Sequence, residues 1–160
     1  MKAISPLIGF VLVMAISIAA ISIAMNVGTP AIERSKEILI YEEGKNNLKL
    51  IDGAINEVLQ EGDGSSRKVS LKFSDGKYNV VDNRIEFFMI TKQGIISHEE
   101  CQSNEDIECV IEEDGVSIDV LGNEIRAYIE YDFDFIDDKE IVNGAEYLII
   151  SNQNDQISIS

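Results

Sequence analysis

The chain has 160 residues, with 29 acidic against 13 basic side chains and a formal net charge of −16. That balance excludes a nucleic-acid binder, because phosphate contacts need clustered Lys and Arg. It also argues against a body lying on anionic lipid, and the length admits one modest core plus one membrane-length segment.

From Ala3 to Ile32 there is no Asp, Glu, Lys or Arg, and Ala3–Val27 reads AISPLIGFVLVMAISIAAISIAMNV. A helix needs about 20 apolar residues to cross a hydrocarbon core of roughly 30 Å. Only Met1 and Lys2 precede the run, and the part beyond Ile32 carries −17. The charge on Lys2 is expected to stay cytoplasmic, which puts the N-terminus inside and the body outside after a single pass. Ser5-Pro6 stands at the helix start, where proline costs little because the first N–H groups have no intrahelical partner. Apolar residues cover the whole circumference, which suits lipid or a bundle of like helices. Gly9, Ala15, Ser17, Ala19, Ala20, Ser22 and Ala24 permit close helix approach. Three fates are open to the segment. It is cut after Ser22-Ile-Ala24 as a secretory signal, it is kept whole as a plain anchor, or it loses only the basic leader.

The opening string Met-Lys-Ala-Ile-Ser-Pro-Leu-Ile-Gly resembles the start of archaeal type IV pilin-like proteins, whose class III signal peptide is a short leader ending in Lys or Arg. The resemblance covers the apolar N-terminal run and nothing beyond it. It implies that a prepilin peptidase cuts between Lys2 and Ala3, with Ser5, Pro6, Leu7, Ile8 and Gly9 matching the family motif. Leu7 stands where bacterial type IV pilins carry a glutamate, so the likeness is to the archaeal branch. The implied partners are further copies of the chain in a helical homopolymer, the membrane before assembly, the peptidase and the pilus assembly machinery.

Beyond the run, Gly28-Thr29-Pro30 predicts a helix break or kink, since Pro30 has no N–H for the carbonyl of Asn26. From Ala31 to about Glu61, Tyr41, Gly44, Leu48, Ile51, Ile55 and Val58 recur at three- and four-residue steps, and Leu39 and Leu59 widen the stripe. Glu42, Glu43, Lys45, Asn46, Asn47, Lys49, Asp52 and Glu57 fill the opposite side, so the segment reads as an amphipathic helix laid on the body. After the turn-like Glu61–Ser66 the period becomes two. Strands are expected at Arg67–Ser74, Lys77–Val81, Arg84–Thr91, Ile95–Glu99, Val110–Glu113, Val116–Leu121, Ile125–Phe135, Tyr147–Ile150 and Ile157–Ile159. Asp75-Gly76 is a hairpin signal between the first two. The predicted fold class is α+β: a long N-terminal helix kinked near Gly28–Pro30, then an antiparallel β-rich head, either meander or sandwich. The domains are a leader at 1–2, a transmembrane or filament-core helix at 3–27, the exposed amphipathic part of the helix at 28–61 and the extracellular head at 62–160.

Cys101 and Cys109 are an even pair eight positions apart. Outside the cell they read as a disulfide clamping one loop, worth about 2–3 kcal/mol in the chain-entropy picture. In a cytosolic body they would be two buried thiols. The single histidine, His98, reads as a surface residue, and no GxSxG, P-loop or HExxH string occurs, so neither catalysis nor a cofactor is expected. Asp132, Asp134, Asp137 and Asp138 are a weak Ca²⁺ candidate. The plainer reading is a solvated strand face alternating with buried Tyr131, Phe133 and Phe135. The expected function is a structural subunit of an archaeal type IV pilus-like filament, for adhesion or surface interaction. The alternative is a single-span anchored extracellular binding module that does not polymerise.

Overall fold

The computed structural model describes residues 6–72, 74–92, 95, 102–104, 107–113, 115–136, 139–141, 147–153 and 156–160, with backbone alone at 6–7, 102–104, 107–110 and 139–141. The chain forms two units, Met1–Lys36 and Glu37–Ser160.

One helix, α1 (Pro6–Glu61), supplies the described part of the first unit and enters the second. The expected break at Gly28–Pro30 is not there: α1 is unbroken, with Pro30 inside it. Proline deletes one hydrogen bond, and the bonds of the flanking turns carry the helix past the gap. In the first unit every residue from Ile8 to Lys36 is exposed except half-buried Gly28.

In the second unit, ten strands follow among the described residues. They are β1 (Ser66–Ser70), β2 (Lys77–Val81), β3 (Arg84–Ile90), β4 (Gln102–Asn104), β5 (Ile107–Glu113), β6 (Val116–Leu121), β7 (Glu124–Glu130), β8 (Lys139–Ile141), β9 (Tyr147–Gln153) and β10 (Gln156–Ile159). They make two antiparallel sheets, one in the order β1-β9-β10 and one in the order β4-β5-β6-β7-β3-β2-β8. The fold is therefore α+β, a long N-terminal helix followed by a β-rich head. Strands β4 to β7 run as a meander, and the β2–β3 hairpin then docks with β3 against β7.

The core follows from the two periods. Tyr41, Leu48, Ile51, Ala54, Ile55 and Val58 line one side of α1 and are buried. They join Tyr78, Val80, Ile85, Phe87 and Met89 of β2 and β3, Val116, Ile118 and Val120 of β6, and Ile125 and Ala127 of β7 in one cluster. Val69, Leu148, Ile150, Ile157 and Ile159 bring the small sheet into the same cluster. Alternate residues of β2, β3, β6, β9 and β10 point away from it, as a half-buried antiparallel sheet requires.

Four expectations change. Leu39 and Leu59 do not widen the buried stripe; they are 68% and 39% exposed. Lys45 and Asn47, assigned to the polar side, are buried. Each is held by partners that lie outside the helical stripe: Glu113 for Lys45, and Tyr78 with the Lys72 carbonyl for Asn47. Asp75-Gly76 does not close a hairpin, because β1 pairs with β9, setting Val69 opposite Leu148. An Asp-Gly step can turn the chain, but the apolar residues of β1 find their cross-strand partners eighty residues on, and Arg67 is tied to Glu57 and Glu61 of α1. A two-residue hairpin is closed instead by Asp82-Asn83, between β2 and β3, with Asp82 at φ 52°. Last, β7 stops at Glu130 and does not run on to Phe135. The Tyr131 and Phe135 N–H groups donate instead to the carbonyls of Asn83 and Asp82, each at 2.8 Å, and these bonds draw the chain across the hairpin end.

Candidate functional site

Among the described residues, the first unit presents a continuous exposed apolar surface. Phe10, Val11, Leu12, Val13, Ile16, Ile18, Ile21 and Ile23 are all exposed, as are Met25 and Val27. The segment is long and apolar enough to cross a membrane, and none of it is buried inside the protein. A soluble protein does not leave a contiguous apolar surface of this extent in water. Within it Gly9 and Gly28 meet nothing where a Cβ would stand, so no contact inside the chain requires them to be glycine.

The leader residues Lys2 and Ala3, and Ser5 of the motif, lie outside the described residues. Pro6 and Leu7 are in the first turn of α1, Ile8 is exposed, and Gly9 sits in open space. Cys101 also lies outside the described residues, and Cys109 is placed by its backbone alone, opposite Val120 in the β5–β6 ladder. Asp137 and Asp138 lie outside as well. Asp132 and Asp134 are exposed, on the segment that leaves β7. With Asn83, Glu130, Tyr131 and Phe133 they line an open groove of about 460 Å³. Asn83 spans its floor, donating to Glu130 Oε1 and to the Tyr131 carbonyl, both at 3.1 Å. Tyr131 and Phe133 meet at a tilt, and both meet Phe135 edge to face, with ring centroids 5.2–5.4 Å apart. Tyr131 donates its hydroxyl to Asp52 of α1 at 3.2 Å, and burial pushes its phenol well above the usual tyrosine range. Among the described residues no three acidic, His or Cys side chains gather closely enough to hold a metal ion.

Two polar arrangements in the head escaped sequence reasoning. Lys45 Nζ reaches Glu113 at 2.8 Å and Glu42 at 3.3 Å, and lies 5.1 Å from the centre of the Tyr41 ring. Burial lowers the lysine pKa, but the bond to Glu113, with Tyr41 and Glu42, outweighs this and leaves it above the ordinary value. On the outer side of the large sheet, Asp119 of β6 has a buried Oδ1 with no hydrogen-bond partner. Burial raises its carboxyl pKa, against the pull of Arg84 and Arg126. Those arginines lie over the Tyr128 and Phe88 rings at 5.6 and 5.8 Å. Both arrangements join residues far apart in sequence, which periodicity cannot register. The hydroxyl of Tyr78 and the amide of Asn47 form a third such pair, buried at 2.9 Å.

The chain matches no protein-family model, no curated protein and no solved structure. Its reading rests on its own residues.

Proposed function

We propose that this chain is a structural subunit of an archaeal type IV pilus-like surface filament. One observation carries the proposal: a helix that is uncharged from Ile8 to Ile32 and exposed throughout except at half-buried Gly28, on a chain whose head has its own core. Such a helix is equally at home among lipid tails and among copies of itself. In this reading the segment holds the subunit in the membrane with the head outside, and a peptidase removes Met1-Lys2. The helices then pack into a filament core through open, head-to-tail contacts, which generate a helical polymer. The acidic head faces water, where its charge keeps it soluble. It is a surface for adhesion rather than a catalyst.

The test is the N-terminal residue of the protein taken from native membranes or the cell surface, read by peptide mass spectrometry. A start at Ala3, with filaments visible by microscopy, supports the proposal. A start at Met1 makes the chain an uncut anchor carrying a binding module, and a start at Met25 makes it a secreted domain. Replacing Lys2 with Glu is expected to block leader removal and to abolish filaments. Normal filaments from that variant would count against prepilin-type processing.

A further inference from the structure

The uncharged helix contains one carboxamide, Asn26, with Ile23, Met25 and Val27 exposed around it. Ser17 satisfies its own hydroxyl by donating to the Val13 carbonyl at 2.9 Å. Asn26 is exposed and its side chain has no hydrogen bond among the described residues. Its main-chain carbonyl is short of a partner too. Pro30 occupies the position whose N–H would return to it, and proline has none. One residue therefore presents an unused amide donor and an orphaned carbonyl acceptor. Gly28 beside it leaves the backbone open, with nothing within 4 Å of where a Cβ would stand.

In water these groups are hydrated. Within an apolar helix bundle each is left bare, and an unpaired buried polar group weakens association roughly tenfold or more. We infer that they satisfy each other between copies: the Asn26 Nδ2–H of one subunit donates to the Asn26 main-chain carbonyl of the next. The inference rests on the filament reading above. A second copy is the occupant because the filament reading sets identical helices side by side; donor and acceptor are different groups of one residue, so the contact is head-to-tail, and it propagates into a helical polymer where its rotation does not close. It also gives the seam a register, since one polar residue in an otherwise apolar helix interface penalises every misaligned packing. A single copy in the membrane holds the same residue at the outer end of its apolar run, three residues beyond Ile23 and near Glu33, within reach of headgroups and water.

The experiment is a double-mutant cycle on the processed chain that starts at Ala3: wild type, Asn26→Leu, Pro30→Ala and both together. The readout is the free subunit concentration in equilibrium with pelleted polymer in detergent solution. Near-ultraviolet circular dichroism of the tyrosines checks that the head remains folded. Asn26→Leu leaves the carbonyl bare, and Pro30→Ala returns a helical N–H to the carbonyl and leaves the amide bare. Each single change should raise the free concentration about tenfold or more. The double variant leaves nothing bare and should return to within about threefold of wild type. A purely structural effect of Pro30 on the helix would not depend on residue 26, and the two changes would then multiply. Multiplying effects, or single variants that match wild type, overturn the inference while leaving the filament intact. A wild-type chain that starts at Ala3 and never pellets refutes the filament reading itself, and the inference falls with it.

Discussion

Gly44→Ala should destabilise the head although it replaces the poorer helix former with the best one. A Cβ at Gly44 would fall 2.6 Å from Phe87 Cζ, and closer still to Cδ1 and Cε1. Carbon atoms in contact prefer about 3.5–4.0 Å, so the ring would have to move by roughly 1 Å. It has no room to do so. Phe87 is fully buried, its other edge faces Gly76, where a Cβ would lie 2.8 Å from Cζ, and the Tyr78 ring stands 5.0 Å away. Overpacking of a rigid site costs about 1–3 kcal/mol, sometimes more. The helix propensity of Ala returns about 1 kcal/mol. With the ring held on three sides the upper part of the range applies, and the net loss is about 2 kcal/mol, or a melting temperature lower by roughly 5–10 °C. Gly53→Ala is the matched control. It lies in the same helix, is exposed, and has nothing within 4 Å. There the propensity gain stands alone, and the head should gain about 1 kcal/mol. The assay is thermal and urea unfolding of the full chain in detergent, followed by tyrosine circular dichroism. Pairing Gly44→Ala with Phe87→Leu should cost less than the sum of the two single changes, because the smaller side chain vacates the contested space. A Gly44→Ala chain as stable as wild type, or more so, would refute the packing account of Phe87 between two glycines.

The remaining predictions concern the polar groups. Lys45, Tyr78 and Tyr131 all have folded-state pKa values above their ordinary ones: Lys45 despite its burial, through Glu113, and the tyrosines because burial disfavours phenolate. A raised folded pKa contributes stability that is complete below the unfolded pKa and lost as pH rises through the folded one. The melting temperature should therefore hold up to about pH 9 and fall beyond about pH 10; a flat profile to pH 11.5 would contradict the burial of these groups. The Lys45–Glu113 pair is asymmetric, with the lysine side chain 7% and the glutamate 50% exposed. Glu113→Ala, which leaves a buried ammonium with only Glu42, should cost about 1–3 kcal/mol by urea unfolding, and Lys45→Met, which frees Glu113 to water, should cost less. The opposite order would sink this account. Non-reducing peptide mapping should find Cys101 joined to Cys109, and reduction should lower head stability by about 2–3 kcal/mol; free thiols in protein from the cell surface would refute the disulfide.

Much of this protein was legible in its residue order. An uncharged run of that length is long enough to span a membrane, and that follows from composition before any fold is known. The stripe of Tyr41, Leu48, Ile51, Ile55 and Val58 and the alternation in β2, β3, β6 and β7 are local periodicities, so the helix end at Glu61 and the inner residues of the strands could be read directly. What needed the tertiary structure was every choice between partners. The Asp75-Gly76 turn signal is local, but pairing β1 with β9 depends on which distant strand offers Leu148 and Ile150 to Val69 and its neighbours. Lys45 and Asn47 look like surface residues until Glu113 and Tyr78 are brought to them from 68 and 31 residues away. Gly44 looks like a weak point in a helix until Phe87 arrives against it. Pro30 reads as a stop because one missing hydrogen bond is visible in the sequence, whereas the turns that continue α1 past it are visible only once the helix is formed. Composition and period set which surfaces must be hidden; long-range geometry decides what hides them.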